Sequence, residues 1–201
     1  MPVLGAVPVK PFASAKKRLA SVLGSTARAS ISQELARRTL RCLVSSGVEA
    51  VVLAADDEVA EWARAGGWEF VLDGGSGLDQ SARLAADRAA SEDRAWIVVH
   101  ADLPLLDPSH LAPAVESLFE GRPVIAPSRD GGTTLLGSFG SFDFSYGPAS
   151  FHRHIWRLRD FSPLVLADAA LAVDLDDPSD LEFAAGRVPW LAGLLDTLPA
   201  P

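Results

Sequence analysis

Trp96-Ile97-Val98-Val99-His100-Ala101-Asp102-Leu103-Pro104 is the stretch that decides the fold. Its apolar run reads as a buried strand, and Pro104 turns the chain away directly after it. Working back toward the N-terminus, a helix is expected over Leu78–Ala90 behind a glycine-rich loop, Asp73–Gly77. Glu69–Leu72 reads as a strand, Asp56–Ala65 as a helix closed by Gly66-Gly67, and Glu49–Ala54 as a strand. Before these come helices over Thr26–Ser46 and Ala13–Leu23, and a first strand over Val3–Val9. In the Thr26–Ser46 segment Ile31, Leu35, Leu40, Leu43 and Val44 recur at roughly helical spacing, with Gly47 as its stop. Toward the C-terminus, Pro108 opens a helix to about Glu120, and Val124–Ala126 is a short strand. Gly131 to Gly147, rich in Gly, Ser and aromatic residues, breaks the regularity. Ala149–Arg159 then reads as a helix, Leu164–Leu166 and Ala172–Leu175 as strands, and Pro178–Arg187 as the last helix.

Strands alternating with helices predict an α/β fold, an open and mostly parallel sheet with helices on both faces. The 201 residues fit one domain, 1–201, with a C-terminal tail from about 188. Ligands of such sheets bind beyond the carboxyl ends of the strands, which directs attention to Lys10, Asp56, Asp73, Asp102, Pro127 and Asp176.

Composition narrows the function classes. With 48% apolar residues the chain has enough surface to bury, so disorder is excluded as its main state. No apolar stretch approaches the roughly 18 residues that a membrane span requires. The net charge of −8 argues against a nucleic-acid binder, though a small phosphorylated ligand needs only a local cluster of cations. The single cysteine, Cys42, and an N-terminus without the order of a secretory signal lead to an expectation of a reducing cytoplasm. Trp62, Trp68, Trp96, Trp156 and Trp190 are spread along the chain and read as core residues.

Five segments carry chemistry. In Val9-Lys10-Pro11-Phe12-Ala13-Ser14-Ala15-Lys16-Lys17-Arg18 a strand ends and a helix begins among four cations, a plausible triphosphate site that is neither a Walker A loop nor a dinucleotide fingerprint. Asp102, delivered to the sheet edge by a hydrophobic strand, is placed to hold Mg²⁺ near phosphates. Asp174 and Asp176 alternate along an expected strand end, so one of the two is expected to join Asp102, while Asp177 caps the helix opened by Pro178. Gly131-Gly132-Thr133-Thr134, with Gly147 and Ser150, offers close backbone approach and hydroxyl donors, or else simply a hairpin with a helix cap. Gly74-Gly75-Ser76-Gly77-Leu78-Asp79-Gln80-Ser81, a glycine-rich loop with polar side chains at a helix start, offers a seat for a nucleobase or ribose. No His/Cys spacing supports zinc, and no Ser–His–Asp order stands out.

Taken together, these segments resemble the guanylyltransferases of coenzyme F-420 biosynthesis, whose substrate is 2-phospho-L-lactate or phosphoenolpyruvate. The resemblance rests on Val7-Pro8-Val9-Lys10-Pro11 with Ala15-Lys16-Lys17-Arg18-Leu19, on Gly77-Leu78, and on Ala101-Asp102-Leu103-Pro104. It continues through Gly132-Thr133 with Gly147 and Ser150, and through Asp174-Leu175-Asp176 with Pro178, to about Arg187. It implies a single-domain nucleotidyltransferase fold, Rossmann-like and GT-A-like, and transfer of GMP from GTP to the phosphate of a three-carbon acid with release of pyrophosphate. Lys16 would contact the GTP phosphates with Lys10 nearby, and Gly77, Leu78 and Asp79 would seat the nucleoside. Mg²⁺ would be held by Asp102 with Asp174 or Asp176. Thr133, Gly147 and Ser150 would hold the acceptor. Fifteen Arg against three Lys points to a GC-rich bacterial source, which favours phosphoenolpyruvate by association with the family's bacterial members. The chain departs from the family at Asp79, where Asn is frequent, and at Thr134 and Ala149. The rivals are a nucleotidyltransferase with another base or acceptor, of molybdenum-cofactor or sugar type, and a non-catalytic nucleotide sensor. The apolar Pro189-Trp190-Leu191-Ala192-Gly193-Leu194-Leu195 segment would dock a partner, as in a homodimer, or its own domain.

Overall fold

The computed structural model describes residues 2–198; the last three residues of the expected C-terminal tail, and Met1, lie outside them. Seven strands form one sheet: β1 (Val3–Val9), β2 (Glu49–Ala54), β3 (Glu69–Leu72), β4 (Ala95–Val99), β5 (Val124–Pro127), β6 (Thr133–Phe139) and β7 (Leu164–Val165), in the order β3-β2-β1-β4-β6-β5-β7. β1, β2, β3 and β4 run parallel, while β6 runs antiparallel between β4 and β5. The helices are α1 (Ser25–Ser45), α2 (Asp57–Ala65), α3 (Leu78–Ser91), α4 (Pro108–Phe119), α5 (Ser150–Leu158), α6 (Ala169–Ala172), α7 (Pro178–Ala185) and α8 (Pro189–Thr197).

Strand alternation builds two cores. Val3, Val7 and Val9 of β1 pack with Leu40 and Leu43 of α1, Val59 of α2 and Leu111 of α4 on one face. Leu4 and Ala6 pack with Ala82, Ala85, Ala86 and Ala89 of α3 on the other. The alanine stripe lets α3 lie close to the sheet. Trp96, fully buried on this second face, donates its indole N–H to the Gly140 carbonyl at 2.9 Å. It anchors Phe142 and Phe144 of the segment that follows β6.

Four expectations need correction. Ala13–Leu23 is not an α-helix but two short 3₁₀ turns, Phe12–Ser14 and Lys17–Ser21, separated by Lys16 in a left-handed conformation (φ 50°). Thr133–Phe139 is a central strand rather than irregular chain; its Gly137 suits a close approach, since a Cβ there would lie 3.0 Å from side chains of both Leu118 and Val124. Ala172–Leu175 is not a strand: α6, capped by Asp168, occupies its start, and extended chain follows. Trp156 is not a core residue; it is 67% exposed, with the Arg159 guanidinium 4.3 Å over its ring. The apolar C-terminal segment forms α8 and packs on its own chain, where Leu191 meets Leu19, Ile31, Leu35 and Leu181. Among the described residues no helix is long and apolar enough to cross a membrane.

Candidate active site

The carboxyl ends of β1 and β4, the 3₁₀ turns after β1 and the start of α3 surround a crevice of about 530 Å³. That volume suits a small organic ligand. Lys10, Lys16, Gly77, Leu78, Asp102 and Asp176 all line it.

Lys16 is its electrostatic centre. The left-handed turn directs a side chain that is only 8% exposed, and its ammonium donates to Asp102 Oδ2 at 2.8 Å and to Asp176 Oδ1 at 3.2 Å. Burial pulls the lysine's pKa down, but the two carboxylates outweigh it and the net shift is upward. Burial acts to raise the pKa of Asp102, yet Lys16 and His100 hold the carboxyl well below the usual carboxylate range. Asp102 is thus an anion at neutral pH.

Asp176 reaches this point through a local scaffold. The Leu175 N–H donates to the Asp102 carbonyl at 2.9 Å, tying the two segments together. Asp180, buried in the first turn of α7, accepts from the backbone N–H groups of Asp176 (3.1 Å) and Asp177 (3.0 Å). Asp177 in turn caps α7 by accepting from Ser179 and Asp180, a reciprocal capping box. The Asp177-Pro178-Ser179-Asp180 spacing carried that signal in the sequence, but the part Asp180 plays in holding Asp176 was not read from it. Asp174 lies off the crevice wall; burial, then the charges of Asp102 and Asp176, push its pKa up to about 6.

On the α3 side, Asp73 accepts from the Gly75 N–H at 2.8 Å and from the Ser81 hydroxyl, which shapes the glycine-rich loop. Asp79 does not line the crevice; its carboxylate accepts from the Tyr146 N–H at 2.7 Å. Thr133 and Ser150 sit one layer behind the wall, each 1% exposed, with the Ser150 hydroxyl donating to Thr133 Oγ1 at 3.1 Å. Thr133 Oγ1 also lies 3.0 Å from His154 Nδ1. Gly147, exposed at φ 102°, turns the chain ahead of α5 without lining the crevice.

The donor set bears on a divalent cation. Among the described residues no three His, Cys, Asp or Glu side chains gather into a closed metal site. Two carboxylates do converge: Asp102 and Asp176, through oxygens that share one ammonium. Mg²⁺ is commonly held by one or two carboxylates plus substrate phosphates, so this pair of hard oxygen donors fits that ion.

Comparison with known proteins places this chain in the nucleotidyltransferase class of α/β enzymes. The fold is similar to that of a protein from Desulfovibrio desulfuricans G20 provisionally described as a nucleotide-diphospho-sugar transferase, with a TM-score of 0.80, 19% identity and coverage of 98% of this chain and 95% of that one. Residues 3–184 match the family model described as "Guanylyl transferase CofC like", and the chain belongs to that family. It is 35% identical over 189 residues to a phosphoenolpyruvate guanylyltransferase of Rubrobacter xylanophilus, covering 90% of this chain and 92% of the relative. It is 29% identical over 180 residues to a 2-phospho-L-lactate guanylyltransferase of Methanocaldococcus fervens, covering 87% and 81%.

Proposed function

We propose that the protein transfers GMP from GTP to the phosphate of phosphoenolpyruvate, releasing pyrophosphate, as a step of coenzyme F-420 biosynthesis in the cytoplasm. The observation that carries this reading is the meeting of Lys16, Asp102 and Asp176 at one point of the crevice, on segments 86 and 160 residues away from Lys16 in sequence. Phosphoenolpyruvate is preferred to 2-phospho-L-lactate because the more similar relative bears that name, at 35% against 29% identity.

An acceptor phosphate is already ionised at neutral pH, so its oxygen attacks the α-phosphate of GTP without a general base. The P–O bond to pyrophosphate breaks as the new P–O bond forms. The difficulty is the approach of two anions. Lys16 and Lys10 offer positive charge to the triphosphate, Lys16 from a backbone turn that directs it into the crevice. Gly77 and Leu78, where α3 begins, border the space for the nucleoside. Asp102 and Asp176 would hold Mg²⁺. When bound, that ion neutralises phosphate charge and stabilises the transition state. Thr133, Gly147 and Ser150 are assigned to the acceptor end by family resemblance; their buried hydroxyl pair fixes the chain there.

The test combines purified protein, GTP and Mg²⁺ with phosphoenolpyruvate or 2-phospho-L-lactate, with pyrophosphate release and phosphorus NMR of the product as readouts. A new diphosphate linkage that requires an acid supports the reading. Absence of pyrophosphate with both acids refutes it.

A further inference from the structure

Lys16 stands apart from the other lysines of the chain. Lys10 and Lys17 are exposed, whereas the side chain of Lys16 is buried to 8% exposure. Its ammonium donates to Asp102 Oδ2 at 2.8 Å and to Asp176 Oδ1 at 3.2 Å, so it spans the pair of carboxylates whose hard oxygens suit Mg²⁺. The other oxygen of Asp176, Oδ2, faces a second cation, the Arg18 guanidinium at 4.0 Å. Two carboxylates thus meet two cations. A divalent ion arriving alone finds the negative charge already answered, and it is repelled by both cations at short range.

The partners differ in their freedom to move. Asp102 follows β4 directly, and the backbone N–H of Asp176 donates to the buried Asp180 at 3.1 Å. The Lys16 backbone is also tied, since the Leu19 N–H donates to its carbonyl at 2.9 Å. Its ammonium, however, sits at the end of a flexible four-carbon stem. Lys10, Lys17 and Arg18 line the same crevice. A triphosphate bound among these cations offers the ammonium oxygens that carry more charge than a single carboxylate does. The ammonium is therefore the group that can exchange partners while the two carboxylates stay in place.

We infer that Lys16 couples the binding of nucleotide and divalent cation: its ammonium occupies the two carboxylates until a triphosphate draws it away, so each ligand prepares the site for the other. The inference rests on the function proposed above and deepens it. Coupling of this kind is reciprocal: the factor by which GTP tightens the cation is the factor by which the cation tightens GTP. Either ligand alone then binds weakly, and the crevice fills with both together. Direct contact between a cation and phosphate also couples the two. Only displacement of the ammonium, however, predicts that a cation without nucleotide binds better once the charge of Lys16 is gone.

The probe is Mn²⁺, with its free concentration read by electron paramagnetic resonance. Binding is measured on the full chain without nucleotide, and again with a GTP analogue whose α,β-bridging oxygen is a methylene, corrected for Mn²⁺ held by free analogue. Wild type is compared with Lys16→Met, Lys16→Gln and Lys16→Arg. Mn²⁺ alone is expected to bind Lys16→Met and Lys16→Gln about tenfold more tightly than wild type, a gain that a merely damaged crevice does not produce. Lys16→Arg, which keeps a cation, should stay near wild type. The analogue should tighten Mn²⁺ by a larger factor in wild type and Lys16→Arg than in the two neutral variants. Equal or weaker binding of Mn²⁺ alone by both neutral variants overturns the proposal, the carboxylates then holding ammonium and metal on different oxygens. Pyrophosphate release by wild type with GTP, Mg²⁺ and either acid is run alongside. Wild type that transfers GMP to no acid refutes the function itself, whereas active wild type whose neutral variants gain no affinity for Mn²⁺ refutes only this inference.

Discussion

Replacing Lys16 by methionine keeps the length of the side chain and the backbone turn but removes the ammonium that joins Asp102 and Asp176 at 2.8 and 3.2 Å. Removing one partner of a fully buried ion pair costs about 3–5 kcal/mol. Here the two aspartate side chains keep 25% and 44% exposure, so water screens the repulsion left behind, and about 2 kcal/mol is the expected loss. Urea unfolding in EDTA measures it directly. On the proposed function the ammonium and a divalent cation would compete for the same two carboxylates in the wild type, and in Lys16→Met only the cation would be left. Added Mg²⁺ should therefore stabilise the variant more than the wild type, while guanylyl transfer falls about 10²–10³-fold for want of a phosphate contact. Coincident unfolding curves of variant and wild type in EDTA would refute the reasoning. So would equal stabilisation of both proteins by Mg²⁺.

Asp180→Ala removes the acceptor for the N–H groups of Asp176 and Asp177 and should cost about 1–3 kcal/mol by chemical denaturation, with a larger loss of guanylyl transfer than Arg129→Ala, which touches only the outer oxygen of Asp180. Burial, then Arg157 and Arg153, lower the pKa of His154 from 6.5 to about 4. Between those values the unfolded chain binds more protons than the folded one, so this contribution is full above about pH 6.5 and is lost as the pH falls toward 4, up to roughly 3 kcal/mol in total. Urea midpoints across this range should show that slope, and His154→Gln should flatten it. Trp96→Phe should cost about 2 kcal/mol or more by losing the bond to Gly140 and its packing, whereas Trp156→Ser should stay within about 0.5 kcal/mol in the same assay.

Where one physical rule governed a segment, its reading was accurate. Glu69–Leu72 and Glu49–Ala54 emerge with the expected bounds, since apolar runs closed by turn residues leave few alternatives. The lysine segment was legible as chemistry but not as shape: Ala13–Leu23 has helical composition, yet Lys16 stands in a left-handed turn that ends any helix there, its ammonium bonded to two distant carboxylates. β6 was hidden because Gly131-Gly132 and Gly137 read as loop, while the glycine at 137 answers to a close approach of Leu118 and Val124 that only the folded chain reveals. Asp174 and Asp176 suggested strand alternation, but Asp180 and the Asp102 carbonyl set their course. Of the residues that line the crevice, Lys10, Lys16, Gly77, Leu78, Asp102 and Asp176 could be named in advance, because charge at strand ends and glycine at a helix start advertise themselves. The layer behind them, made of Tyr146, His154 and Asp180, depends on contacts across the molecule that no local pattern carries.

The antiparallel course of β6 has a consequence for where this enzyme can change. The strand enters beside the catalytic edge and leaves at the far one, so Gly140 to Tyr146 must travel back across the sheet to bring Tyr146 beside His100. That return path is a ruler: Trp96 pins one end and Asp79 the other, and its length matches the span between them. A single inserted or deleted residue along it would shift Tyr146 against His100 without altering any residue that lines the crevice.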